Sequence, residues 1–118
     1  MSKIDGIYTA YLTGIAGQGM AMFVFRSGKI AGADLSGLTF SGSYAVVKSR
    51  IRGHVSYTMP AQSLSITGAS FDETSSPIQV PIDLPVNLDA QETYRINTPI
   101  GPVNAKFVMN VGFEEADG

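Results

Sequence analysis

The sequence predicts an all-β protein built as one antiparallel sheet, an eight-stranded up-and-down barrel or a sandwich. Three observations predict it. Residues 103–113 alternate apolar and mostly polar side chains over eleven positions, with Val103, Ala105, Phe107, Met109, Val111 and Phe113 on one parity. That period of two is the signature of a strand with one buried face; a helix would scatter the six around its circumference. Similar runs recur along the chain at a spacing of roughly 8–12 residues, separated by Gly, Pro, Ser and Asn. No stretch shows the 3.6-residue period of an amphipathic helix, and there is no internal repeat.

Asp5 and Gly6 introduce residues 7–13, rich in aromatic and β-branched side chains and hence a strand. Gly14-Ile15-Ala16-Gly17 is a turn. Residues 19–26 form a second strand with two apolar faces: Met20, Met22 and Val24 on one side, Ala21, Phe23 and Phe25 on the other. A sheet with one wet face should not read this way, so the outer face of this strand must be covered by something. Ser27-Gly28-Lys29 is a hairpin turn, Gly28 being free to take positive φ.

A short strand over residues 30–33 leads into a loop at residues 34–38, where Asp34 should hydrogen-bond the backbone of its own loop. Residues 39–47 are the fourth strand. Residues 50–59 alternate again, with Ile51, Val55, Tyr57 and Met59 on one face and Arg50, Arg52, His54, Ser56 and Thr58 on the other. Residues 61–77 carry weak signals: Leu64 and Ile66 suit a short strand, and residues 70–76 read as exposed loop. Ile78, Val80, Ile82, Leu84 and Val86 alternate, while Pro81 and Pro85 cannot donate to a ladder and mark an edge strand. Residues 91–98 form a further strand, residues 99–102 turn, Pro102 sets the start of the last strand, and residues 114–118 make an acidic tail, expected to fray.

With 118 residues this is one domain, spanning residues 1–118. Charged residues make up only 15% of the chain, against about a quarter in a typical soluble domain, which suggests surface hidden in an oligomer. A net charge of −2 gives no general attraction to nucleic acid or anionic membrane. There is no cysteine, so disulfides, thiol nucleophiles and thiolate metal sites are excluded. The opening residues lack the apolar core of a secretory signal and no run approaches a membrane span, so a cytoplasmic location is expected.

Candidate chemistry is sparse. His54 is the one histidine, and with no cysteine or acidic cluster beside it no metal site, cofactor or catalytic set is expected. Lys48, Arg50, Arg52 and His54 share parity and form a basic stripe. The plain reading is a wet strand face; the sharper one is a docking site for an acidic partner or phosphate. The glycines around Gly14, Gly17 and Gly19 precede a strand rather than a helix, which suits a hairpin turn and not a phosphate loop. Met20, Met22, Met59 and Met109 suit either ordinary core or interface, or an adaptable pocket.

Asp5-Gly6-Ile7-Tyr8, then Gly32-Ala33-Asp34, Phe40-x-Gly42-x-Tyr44 and Ala105-Lys106-Phe107 run in an order that resembles the GrlR-type negative regulators of type III secretion in bacteria. The Gly6-x-Tyr8 start is also similar to the Gly-x-Trp with which lipocalins open. The resemblance implies a lipocalin-like barrel, a homodimer, and regulation by binding a protein partner rather than catalysis. The family's acidic surface motif would fall just after Tyr44, where this chain has Ala45-Val46-Val47-Lys48-Ser49-Arg50. The resemblance therefore implies the barrel and the dimer, without the family's own activator as partner.

Two binding roles follow as expectations: a regulator with a protein partner, or a carrier of a small apolar ligand inside the barrel. The first needs apolar surface outside, the second an internal cavity. A dimer interface is expected on the first two strands, around Tyr11, Met22, Phe23 and Phe25, with the outward parity of the second strand left open.

Overall fold

The computed structural model describes residues 4–113. The opening residues 1–3 and the acidic tail expected to fray lie outside the described residues. Eight strands form one antiparallel sheet: β1 (Gly6–Gly14), β2 (Gly17–Arg26), β3 (Lys29–Asp34), β4 (Thr39–Val47), β5 (Arg50–Tyr57), β8 (Ile78–Pro85), β9 (Tyr94–Thr98) and β10 (Gly101–Gly112). Two short strands, β6 (Ser63–Leu64) and β7 (Ser70–Phe71), make a separate ribbon in the excursion between β5 and β8. The sheet order is β8-β5-β4-β3-β2-β1-β10-β9, and β8 and β9 at its two edges lie side by side. The sheet is thus nearly closed into a barrel, laced by hydrogen bonds everywhere but along the β8–β9 seam. Pro81 and Pro85, with no N–H to offer, fall on the strand that borders this seam.

Turn chemistry sets the hairpins. Ser27 and Gly28 both have positive φ, as do Lys48 and Ser49, which gives the two-residue turn whose twist matches the flanking strands. Strand β10 starts at Gly101, so Pro102 lies inside it, opposite Asn97 of the edge strand β9.

Inward parity is now fixed. Tyr8, Ala10, Ala21, Phe25, Ile30, Tyr44, Ile51, Val55, Leu84, Ala105 and Phe107 are buried. Phe23 is partly buried and packs against this core. The odd residues of β2 therefore face the interior, and Phe23 and Phe25 are not interface residues of the outer surface, where the sequence had placed them beside Tyr11 and Met22.

The inward parity expected for residues 103–113 gives buried side chains up to Phe107; Met109 still lies opposite inward-facing Tyr8, and the alternation breaks after it. Met109 and Val111 are 42% and 48% exposed. Ile7 pairs with Val111 but Tyr8 pairs with Met109, so Asn110 is an extra residue in β10. Such a bulge bends the strand and resets its alternation, moving Val111 to the outer row beside Ile7. Among the described residues no helix is long and apolar enough to cross a membrane.

Candidate functional site

The two ends of the barrel are built differently. At the end holding the β2–β3 and β4–β5 turns, the interior is filled. Phe25 packs edge-on against Tyr8 and tilted against Tyr44, with centroids 5.3 Å apart in both pairs. Below them sits Asp5, only 1% exposed. Its carboxylate accepts a hydrogen bond from the Tyr44 hydroxyl and another, 3.1 Å long, from the Ser27 backbone N–H. The Tyr8 hydroxyl donates to the Ile4 carbonyl at 2.6 Å, and the Phe113 N–H donates to the Asp5 carbonyl at 2.9 Å. Burial, aided by the charge of Asp5, pushes the Tyr8 hydroxyl up to about 12. Burial and the hydrogen bond to Asp5 push that of Tyr44 up to about 12 as well. Both remain neutral donors, and the plug is a satisfied polar knot rather than a reactive site.

Above the plug the barrel is hollow. A cavity of about 350 Å3 runs up to the opposite end. Its floor is Phe25, Ile30, Leu84 and Phe107, and its wall includes Phe23, Phe40, Tyr57 and Ile96. Phe40 lies 5.3 Å from both Phe23 and Tyr57, so one wall is a continuous aromatic surface. Burial raises the Tyr57 hydroxyl above its ordinary range. Among the described residues Asp34 is the one charged residue lining the cavity. Its Oδ1 accepts from the Ser36 and Leu38 N–H groups at 2.9 Å each and from the Ser36 hydroxyl at 2.8 Å, the own-loop role expected for it.

The excursion that carries β6 and β7 folds over the open end as a lid. The Ile66 carbonyl accepts from the Ala16 N–H at 2.8 Å, tying the lid to the β1–β2 turn. Gly14 permits that approach, because a side chain there would collide with the Ile66 carbonyl. Ser65 and Thr67 are buried within the lid and hydrogen-bond one another at 3.0 Å. At its base Met59 and Ser75 exchange hydrogen bonds of 2.9 Å. The exposed-loop reading of residues 70–76 is therefore incomplete: Phe71 is half-buried against the Met59, Ile78 and Val80 cluster.

The basic stripe lies elsewhere, on the outside of β5 and the β4–β5 turn. Arg50 Nε bonds Asp83 Oδ1 at 2.8 Å, and Arg52 Nε stands 3.7 Å from the same oxygen. The hydrogen bond from Arg50 holds the Asp83 carboxyl below its usual range. Lys48 and His54 are exposed. The stripe is thus partly neutralised by an acid from the neighbouring strand. Among the described residues no group of His, Cys, Asp and Glu could hold a metal ion.

A second surface is apolar and outward. On β10, β1 and β2 the outer rows run Val111, Ile7, Val24 and then Val108, Thr9, Met22, followed by Lys106, Tyr11, Met20, so that Lys106 bounds the apolar part. Tyr11 and Met22 are each half exposed.

The residues shared with the GrlR-type pattern fall in the framework. Asp5, Tyr8 and Tyr44 build the plug, Phe40 the aromatic wall, and Ala105 and Phe107 the core. At Gly42 a side chain would collide with the His54 carbonyl of the next strand. Compared with known proteins, the chain matches no family model, no curated protein and no solved structure.

Proposed function

We propose that this chain is a non-catalytic, cytoplasmic binding protein whose barrel holds one small apolar molecule. The observation that carries this reading is the cavity of about 350 Å3 above the Tyr8–Phe25–Tyr44 plug, with its apolar floor and aromatic wall. Ligand sites are typically concavities of about 300–1,000 Å3, lined by apolar and aromatic groups with few polar ones. The lid over its end suits a site that admits a ligand and then shields it. Asp34, Ser36, Ser63, Ser65, Thr67 and Thr98 around it are engaged in loop hydrogen bonds, so they do not converge as the nucleophile, base and oxyanion donors of a catalytic site would.

A second reading rests on the outer apolar rows of β10, β1 and β2. We propose that a second copy covers them, making a homodimer, and that the regulatory role implied by the GrlR resemblance is exercised by this dimer on a protein partner. Low overall charge favours the same conclusion, and a two-fold pair is the commonest way to bury such a face. Lys48, Arg50, Arg52 and His54 would then offer an acidic partner a charged rim.

Native mass spectrometry of the protein purified from its own host tests both readings at once. A dimer with retained mass of a small molecule supports them. A monomer at micromolar concentration refutes the pairing, and an empty barrel that also takes up no apolar probe refutes the carrier.

A further inference from the structure

We infer that the cavity selects molecules whose polar end is an uncharged or cationic hydrogen-bond donor, an alcohol or amine on an apolar body, and discriminates against carboxylates. This rests on the reading that the cavity holds a ligand, and concerns which chemical class it takes. The polar side chains of the lining gather at the lid end, so a ligand's apolar body occupies the floor and its polar end meets the lid.

Four of those side chains are hydroxyls whose protons are already given away. Ser36 Oγ donates to Asp34 Oδ1 at 2.8 Å, and Ser63 Oγ to the Pro60 carbonyl at 2.6 Å. Thr67 Oγ1 donates to Ser65 Oγ at 3.0 Å, and Thr98 Oγ1 to the Gly101 carbonyl at 2.6 Å. A hydroxyl has one proton and two lone pairs, so what these four present to a ligand is acceptors. Ser65 Oγ, which accepts from Thr67, and the Tyr57 hydroxyl each keep a proton, so acceptors outnumber donors in the lining.

Asp34 adds an acid at the same end, and among the described residues no Lys, Arg or His lines the cavity. Arg26 lies over the Phe113 ring at the plug end, and Arg50 and Arg52 face Asp83 outside. A carboxylate entering this site would lose its hydration, find no cation, and face Asp34; an alcohol or ammonium would find partners.

The test is displacement of the uncharged fluorophore N-phenylnaphthylamine from the full chain at neutral pH by dodecanol, dodecylamine, methyl dodecanoate and dodecanoate. Dodecanol and dodecylamine should compete best, with the ester weaker and dodecanoate weaker than dodecanol by about 10-fold to 100-fold, the span set by one unsatisfied polar group. In Asp34→Asn, which keeps an acceptor oxygen for the loop, dodecanoate should gain relative to dodecanol. Dodecanoate binding as tightly as dodecanol, or an ester matching the alcohol, overturns the selectivity while leaving the carrier reading intact. If neither the fluorophore nor any of the four binds, the carrier reading falls too.

Discussion

Tyr44→Phe is the sharpest probe of how this barrel is held shut at its filled end. The substitution removes one oxygen and leaves ring packing against Phe25 in place. It takes from Asp5 the donor on Oδ1, leaving a carboxylate that is 1% exposed with the Ser27 N–H on its other oxygen. A hydrogen bond to a charged group contributes about 1.5–3 kcal/mol, and leaving a buried partner unsatisfied costs about 1–3 kcal/mol, more when it is charged; these are two measures of one loss and are not summed. The expected loss is therefore about 2–4 kcal/mol, read from urea unfolding by circular dichroism. For a domain of this size that lowers Tm by roughly 5–20 °C. In an Asp5→Asn background the same change should cost under about 1 kcal/mol, because the charge that made the bond strong is gone. The unmodified protein should also weaken in alkali. The Tyr44 and Tyr8 hydroxyls are held up to about 12 in the fold, above about 10 in the unfolded chain. The native state thus keeps protons that the unfolded state releases, so stability is full below about pH 10 and falls as pH rises toward 12. A loss below about 0.5 kcal/mol for Tyr44→Phe, or an equal loss in both backgrounds, would refute the reasoning.

Three further outcomes are expected. Met22→Glu, on the outer row, should split the proposed dimer in sedimentation while far-UV circular dichroism stays unchanged, whereas Phe23→Glu should unfold the barrel; the reverse pattern would contradict the parity of β2. Phe107→Ala should cost about 3–5 kcal/mol in chemical denaturation, and a loss under about 1 kcal/mol would mean its ring does not support the cavity floor. Arg50→Glu with Arg52→Glu should leave the fold intact, with only a small change in urea unfolding that shrinks in high salt, because the pair with Asp83 is exposed. The same charge reversal should abolish capture of an acidic partner; an unchanged capture profile would return the stripe to an ordinary wet face.

The strands were legible because alternation is local: Val103, Ala105 and Phe107 declare their face within five residues. What sequence could not supply was anything set by a distant partner. Met109 and Val111 continue the alternation on paper, and only pairing with Ile7 and Tyr8 reveals the bulge that turns Val111 outward. Strand β2 carries apolar groups on both faces, so its parity had to come from the ladder beside β1. Asp5 reads as an ordinary acid before a glycine, since the tyrosine that satisfies it lies far along the chain. The lid has no period at all, being held by single bonds such as that from Ala16 to Ile66, and a cavity is a property of packing that no residue pattern encodes.

The ladder between β1 and β10 also imposes an order in time. Gly6 pairs with Gly112 and Thr13 with Asn104, so strands synthesised far apart must meet before the wall is complete. Strands β1 to β5 can pair hairpin by hairpin as they emerge, but the result is an open sheet. Its inner face, with Phe23, Phe40 and Val55, stays in water while the rest of the chain is made. Closure by such distant residues is slow, and an apolar sheet awaiting its last strand is prone to capture by whatever strand is nearest. In a crowded cell the nearest strand can be β10 of another copy, which would exchange partners rather than close its own barrel. Translation speed and chaperone supply during that interval, more than the stability of the finished fold, would then govern how much of the protein is recovered as closed barrels.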